Sequence, residues 1–95
     1  MTKPDEINCI IIEDEPAACR ILEAHIARIP FLRLTGTFVS VEKALPAIEA
    51  KPALIFLDIN LPGISGIEFV QSSGTGTGII FTTAYTEYAV ESFEL

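Results

Sequence analysis

The chain has 95 residues, 49% of them hydrophobic, with 13 acidic against six basic side chains and a net charge of −7. Ile, Leu, Val and Phe fill 32 of the 95 positions, which excludes intrinsic disorder and fits one small domain. The acidic balance argues against nucleic-acid binding by this segment. No apolar run approaches the roughly 20 residues of a membrane span.

The N-terminus has no apolar stretch behind a basic start, so no secretory signal is read there. Cys9 and Cys19 are the only cysteines, and a reduced, cytoplasmic protein is expected. Residues 1–6 read as a tail and 7–95 as the domain. Residues 7–12 are continuously apolar and β-branched apart from Asn8 and Cys9, which predicts a strand covered on both faces. Pro16 stands where a helix starts, and Ala18, Ile21, Leu22, Ile26 and Ile29 follow at helical spacing, so residues 16–29 are expected as an amphipathic helix stopped by Pro30. His25 lies beside that stripe and is expected to be partly buried. Residues 32–39 read as a second strand weakened by Gly36. Ser40 suits the N-cap of a helix over 41–50, in which Pro46 is expected to kink or shorten it.

A second apolar strand, 53–58, ends in Asp58. A loop over 59–66 carries Pro62, Gly63 and Gly66, and a short helix is expected over 66–72. Residues 73–78 read as a Gly/Thr connector. A strand over 79–82 and a helix over 86–93 complete an alternating β-α pattern. That alternation predicts an α/β fold with a parallel sheet and helices on both faces.

Ligands of open parallel sheets bind beyond the carboxyl ends of the strands. Glu13 and Asp14 follow the first strand and Asp58 ends the third. If these strands are neighbours, three carboxylates converge and repel one another unless a cation joins them. All-oxygen ligands of this kind suit Mg²⁺. An Asp carboxylate can also act as a nucleophile that forms an aspartyl phosphate. Thr82-Thr83-Ala84, at the end of the fourth strand, offers a hydroxyl for a phosphoryl oxygen and room beside it, while Pro62 and Gly66 shape the loop after Asp58. Taken singly, Asp58 is equally a solvated turn residue, and Glu13-Asp14 reads as helix capping. Acidic strand ends, a Thr-Ala step and a Pro/Gly loop in this order favour a site.

The segments Ile11-Ile12-Glu13-Asp14-Glu15-Pro16, Leu57-Asp58-Ile59-Asn60-Leu61-Pro62-Gly63-Ile64-Ser65-Gly66 and Phe81-Thr82-Thr83-Ala84-Tyr85 resemble the receiver domain of bacterial two-component response regulators. The Glu-Asp-Glu-Pro phrase, and Thr-Ala-Tyr-Thr-Glu-Tyr-Ala-Val-Glu-Ser-Phe-Glu, are similar to the LytR/AlgR (LytTR) branch. The resemblance implies a flavodoxin-like doubly wound sheet of strand order 2-1-3-4. It implies that Asp58 accepts a phosphoryl group from a sensor histidine kinase. Mg²⁺ would be bound by Asp14 and Asp58, by Glu13 through water, and by the backbone carbonyl of Asn60. Thr83 would be the switch hydroxyl, with Ala84 beside it. The module would be a signalling phosphoacceptor rather than an enzyme, switching a DNA-binding output domain outside this chain, with a homodimer possible in the full-length protein. The family pattern continues with a fifth strand ending in lysine and a fifth helix. No basic residue follows Lys51, so the chain reads as a receiver domain truncated at its C-terminus, with the fourth strand an exposed apolar edge.

Two other readings fit part of this pattern. An Mg²⁺-dependent aspartyl-phosphate hydrolase commonly carries a second acid two residues after its nucleophile, and Asn60 stands there. A phosphorylation-independent interaction domain retaining the acids as relics gains from the missing lysine. The glycines over 74–78 precede a strand rather than open a helix, which disfavours a phosphate cradle.

Overall fold

The computed structural model describes residues 6–59, 61 and 77–82. In chain order it contains β1 (Ile7–Ile12), α1 (Pro16–Ala27), β2 (Leu32–Phe38), α2 (Val41–Glu49), β3 (Leu54–Asp58) and β4 (Gly78–Thr82). The four strands form one parallel sheet in the order β2-β1-β3-β4. The helices expected over 66–72 and 86–93 lie outside the described residues.

The continuous apolarity of β1 and β3 has the expected cause: both are central strands, and each feeds two cores. On one face Ile10, Ile12, Ile55 and Leu57 pack with Ala44 of α2 and with Leu61, and Phe38, Val41, Ala47, Ile48 and Ile79 pack around them. On the other, Cys9, Ile11 and Phe56 pack with Ile26 of α1, joined by Cys19, Leu22, Leu32, Leu34 and Leu54. The two helices therefore cover opposite faces. Each fully buried isoleucine contributes about 1.5–3 kcal/mol relative to exposure.

α1 starts at Pro16 behind Glu15, which makes no side-chain cap. It ends at Ala27, and the N–H groups of Arg28 and Ile29 tighten the last turn onto His25 and Ile26. His25 is exposed, not partly buried. It precedes the buried Ile26 by one residue, about 100° around the helix, which turns it away from the core. α2 begins as expected, with the Ser40 hydroxyl oxygen accepting the Lys43 N–H at 3.1 Å. It runs through Pro46 to Glu49 without breaking. The N–H missing at Pro46 leaves unpaired only the carbonyl of Glu42, an exposed residue open to water. Ala44, Ala47 and Ile48 meanwhile anchor the helix on both sides of the proline. β4 starts at Gly78, one residue earlier than expected, because the Gly78 N–H donates to the Ala53 carbonyl at 2.9 Å. Ile80 and Phe81 of β4 are 44% and 45% exposed, as expected of an outer strand.

β2 contains a feature the sequence did not announce. Cys9 pairs with Leu34, but Ile10 pairs with Gly36, so Thr35 is an extra residue that bulges the strand. The Thr35 hydroxyl donates to the Cys9 carbonyl at 3.2 Å. The bulge also exchanges faces. Leu32 and Leu34 join the α1 core, whereas Phe38, at the same even spacing, joins the α2 core. Gly36 leaves room for a ring on the second side. A Cβ there would meet the Phe38 ring at 3.0 Å. Gly36→Ala is expected to push that ring out of its packing and to lower unfolding free energy by about 1–3 kcal/mol, measured by urea denaturation. Unchanged stability would show that the ring yields freely.

Candidate functional site

The parallel register brings the expected acids together. β1 and β3 are neighbours with Ile12 opposite Leu57, and one step further places Glu13 opposite Asp58. The main chain after β1 is held by the Glu13 N–H, which donates to the Phe38 carbonyl of β2 at 2.8 Å. After β3, the Ile59 N–H donates to the Thr82 carbonyl at 3.0 Å. One carboxylate oxygen from each of Glu13, Asp14 and Asp58 lies within 4.8 Å of the others. Two of these acids are buried, Glu13 and Asp58 each being only 4% exposed, while Asp14 faces solvent.

Burial of that kind is costly for a charge. It pushes the Glu13 carboxyl up to about 7 from an ordinary 4.5. The Glu15 N–H, which donates to Glu13 Oε2 at 3.1 Å, opposes the shift, and the hydrogen bonding and charge of Asp58, with a contribution from Asp14, reinforce it. The N–H that Glu13 holds belongs to Glu15, the residue before α1, and the N-cap makes no side-chain hydrogen bond to the helix. That single bond does not compensate three clustered carboxylates.

A small hard cation fits this donor set. Mg²⁺ bonds oxygen at about 2.1 Å, so two oxygens across the ion stand about 4.2 Å apart. A cluster within 4.8 Å is of that scale, with room for water to make up the difference. The remaining residues expected at the site, Asn60, Pro62, Gly66, Thr83 and Ala84, lie outside the described residues, as do Gly63 and the glycines at 74 and 76.

Beside the acids runs a groove of about 240 Å³, lined by Glu13, Asp14, Pro16, Cys19, Arg20, Glu23, Thr37, Phe38 and Val39. Its walls are the first turns of α1 and the end of β2, and the residues of β2 were not anticipated. The signal was present in principle. β2 neighbours β1, so its carboxyl end must border the same crevice. The Cys19 thiol lies 3.8 Å from Glu23 Oε1. Burial, then the charge of Glu23, pushes that thiol upward, and burial does the same to Cys9. Both free cysteines are therefore held as thiols, consistent with packing roles rather than nucleophilic ones.

The response regulator receiver domain family matches residues 9–95. A response regulatory protein of Shewanella oneidensis is 35% identical over 91 residues, covering 93% of this chain and 39% of that protein. The transcriptional regulatory protein BtsR of Escherichia coli is 32% identical, with 93% and 38% covered. The chain thus spans less than half the length of these relatives. Among solved structures, the response regulatory domain of mrkE from Klebsiella pneumoniae superposes with a TM-score of 0.71 at 35% identity, covering 93% of this chain and 75% of that one.

Proposed function

The chain belongs to the response regulator receiver domain family, and we propose that it accepts a phosphoryl group from a histidine kinase onto Asp58 in an Mg²⁺-dependent reaction. The observation that carries this reading is the convergence of Glu13, Asp14 and Asp58, with two of the three carboxylates buried. A buried carboxylate set beside two others is held in readiness for a cation. Asp58 lies at the carboxyl end of a central strand, where the sheet leaves a crevice for an incoming donor.

In the proposed site Asp14 and Asp58 hold Mg²⁺ directly and Glu13 acts through water, with Asn60 adding its backbone carbonyl. The cation, when bound, neutralises charge on the transferring phosphoryl group. Asp58 supplies the attacking oxygen. The phosphohistidine nitrogen leaves, and Asp58 becomes an acyl phosphate. Thr83 and Ala84 form the switch that answers the new charge, and Pro62 and Gly66 shape the loop beyond Asp58. We place the chain in the LytR/AlgR branch on its Glu-Asp-Glu-Pro and Thr-Ala-Tyr phrases. The receiver, residues 7–95, would then control a DNA-binding output domain in the cytoplasm of the full-length protein, for which a homodimer is possible. Similarity to a transcriptional regulatory protein supports that reading.

The test of the metal half of the proposal is thermal melting with increasing Mg²⁺. The wild-type midpoint is expected to rise by several degrees at saturation, because a ligand bound only by the folded state stabilises it. Asp14→Asn is expected to reduce that rise by more than half. An equal rise in both proteins would contradict the assignment of Asp14 to the cation.

A further inference from the structure

Neither the core nor the acids explain the bulge in β2. Partners in the β1–β2 register share a face: Cys9 and Leu34 lie on the α1 side, Ile12 and Phe38 on the α2 side. Between them Gly36, opposite Ile10, lies on the Phe38 face. Thr37, opposite Ile11, borders the groove with Cys19 and Glu23 of α1. Leu34, Gly36, Thr37 and Phe38 therefore alternate between the faces as consecutive residues of a plain strand would. Thr35 is one residue more than that pattern needs. It is nonetheless a built feature, because its hydroxyl donates to the Cys9 carbonyl at 3.2 Å and satisfies that acceptor where the ladder is interrupted.

The position of the extra residue gives the reason for it. β2 is an outer strand of the sheet, and among the described residues only β1 pairs with it. A row of N–H and C=O groups on such an edge is a template for another chain. β2 runs from Leu32 to Phe38, and Thr35 is its central residue. The bulge divides the row into 32–34 and 36–38, about 10 Å each, where an ordinary strand runs to about five or six residues. Other deterrents are few. Arg33 is the single charge in the strand. Phe31 and Val39, which flank it, are 52% and 50% exposed. Positions 24–41 hold no acid in a chain of net charge −7, so the repulsion that keeps copies of the chain apart is weakest along this edge.

We infer that the β2 edge is a self-pairing surface for a second copy of this chain, and that the bulge at Thr35 keeps it closed. An edge strand paired antiparallel with its own copy closes as a two-fold dimer, with the same residues contributed from both sides. The second copy is the occupant that the charge favours, since two acidic chains meet here along stretches that carry no acid. The bulge bends the strand and sharpens its twist at the middle of the row, so that only a short half could pair at a time. The inference is independent of phosphoryl acceptance at Asp58.

The test is deletion of Thr35 from the full chain. The deleted chain is expected to melt cooperatively, because every core residue of β2 keeps its face and its partner in β1. Sedimentation velocity over a range of concentrations is expected to show it at twice the mass of wild type or more. Phe31→Lys, added to the deletion, sets a charge on the edge and keeps the Phe31 carbonyl position that accepts the Ile7 N–H. It is expected to return the mass to that of wild type. A deleted chain with wild-type mass at every concentration overturns the inference. Association that survives Phe31→Lys also overturns it, since the contact then lies elsewhere, as on the exposed Ile80 and Phe81 of β4. Loss of cooperative melting on deletion overturns it too, because the core would then depend on Thr35.

Discussion

Asp58→Asn is expected to abolish phosphoryl incorporation and, at the same time, to raise the melting temperature of the metal-free protein. The two effects have one origin. The carboxylate we propose as the attacking group is also one of three crowded into the crevice, two of them buried. An amide of nearly the same shape keeps hydrogen-bonding capacity but has neither the nucleophilic oxygen nor the charge. Transfer should fall below detection because no neighbour stands in for Asp58. Asp14 is on the exposed rim, and Glu13 is held by the Glu15 N–H. Relief of repulsion is expected to add about 1 kcal/mol, several degrees for a domain of this size. Calorimetry without divalent cation measures the second effect, and a melting temperature at or below that of wild type would contradict close packing of the carboxylates.

The second large effect is pH dependence centred on Glu13. Its carboxyl titrates near 7 in the folded protein, chiefly through burial and then through Asp58 and Asp14, against an ordinary value of 4.5. Between those values the folded chain holds a proton that the unfolded chain has released. Stability without metal is therefore full below about 4.5, falls as pH rises through the window, and levels off above about 7. Solvent at the Asp14 side of the cluster screens part of the full conversion, leaving about 1–2 kcal/mol. Glu13→Gln is expected to flatten the curve. Mg²⁺ favours the ionised form and so should stabilise more strongly at pH 8 than at pH 5. Urea denaturation across this range, with and without Mg²⁺, gives both slopes. A metal-free stability that rises between pH 5 and 7 would contradict the burial of Glu13 as a destabilised charge.

The central strands were legible because their cause is local. Residues 9–12 and 54–57 are apolar on both faces, and both faces are covered. The acids were legible for a related reason, since each follows directly on such a strand. What the sequence conceals is what tertiary packing decides. Leu32, Leu34 and Phe38 have even spacing and read as one face, yet the bulge at Thr35 sends Phe38 to the other. Pro46 reads as a residue that kinks or shortens its helix, yet α2 runs through it to Glu49, with Ala44 and Ile48 pinning both sides. His25 looked partly buried from its neighbours in sequence, but its angle around α1 turns it outward. At the site, the strand-end positions indicate three carboxylates, whereas the difference between buried Glu13 and exposed Asp14 depends on how the chain turns from β1 into α1.

The most direct measurement is the location of the phosphoryl group itself. The full chain is incubated with a small phosphoramidate, with and without Mg²⁺, and then treated with borohydride, which reduces an acyl phosphate to an alcohol and leaves a mass mark on the residue that carried it. Peptide mass spectrometry is expected to find the mark at Asp58 alone, and only with Mg²⁺ present. A mark at Glu13 or Asp14, a mark independent of Mg²⁺, or none at all would contradict the assignment of Asp58 as the acceptor in a cation-dependent site.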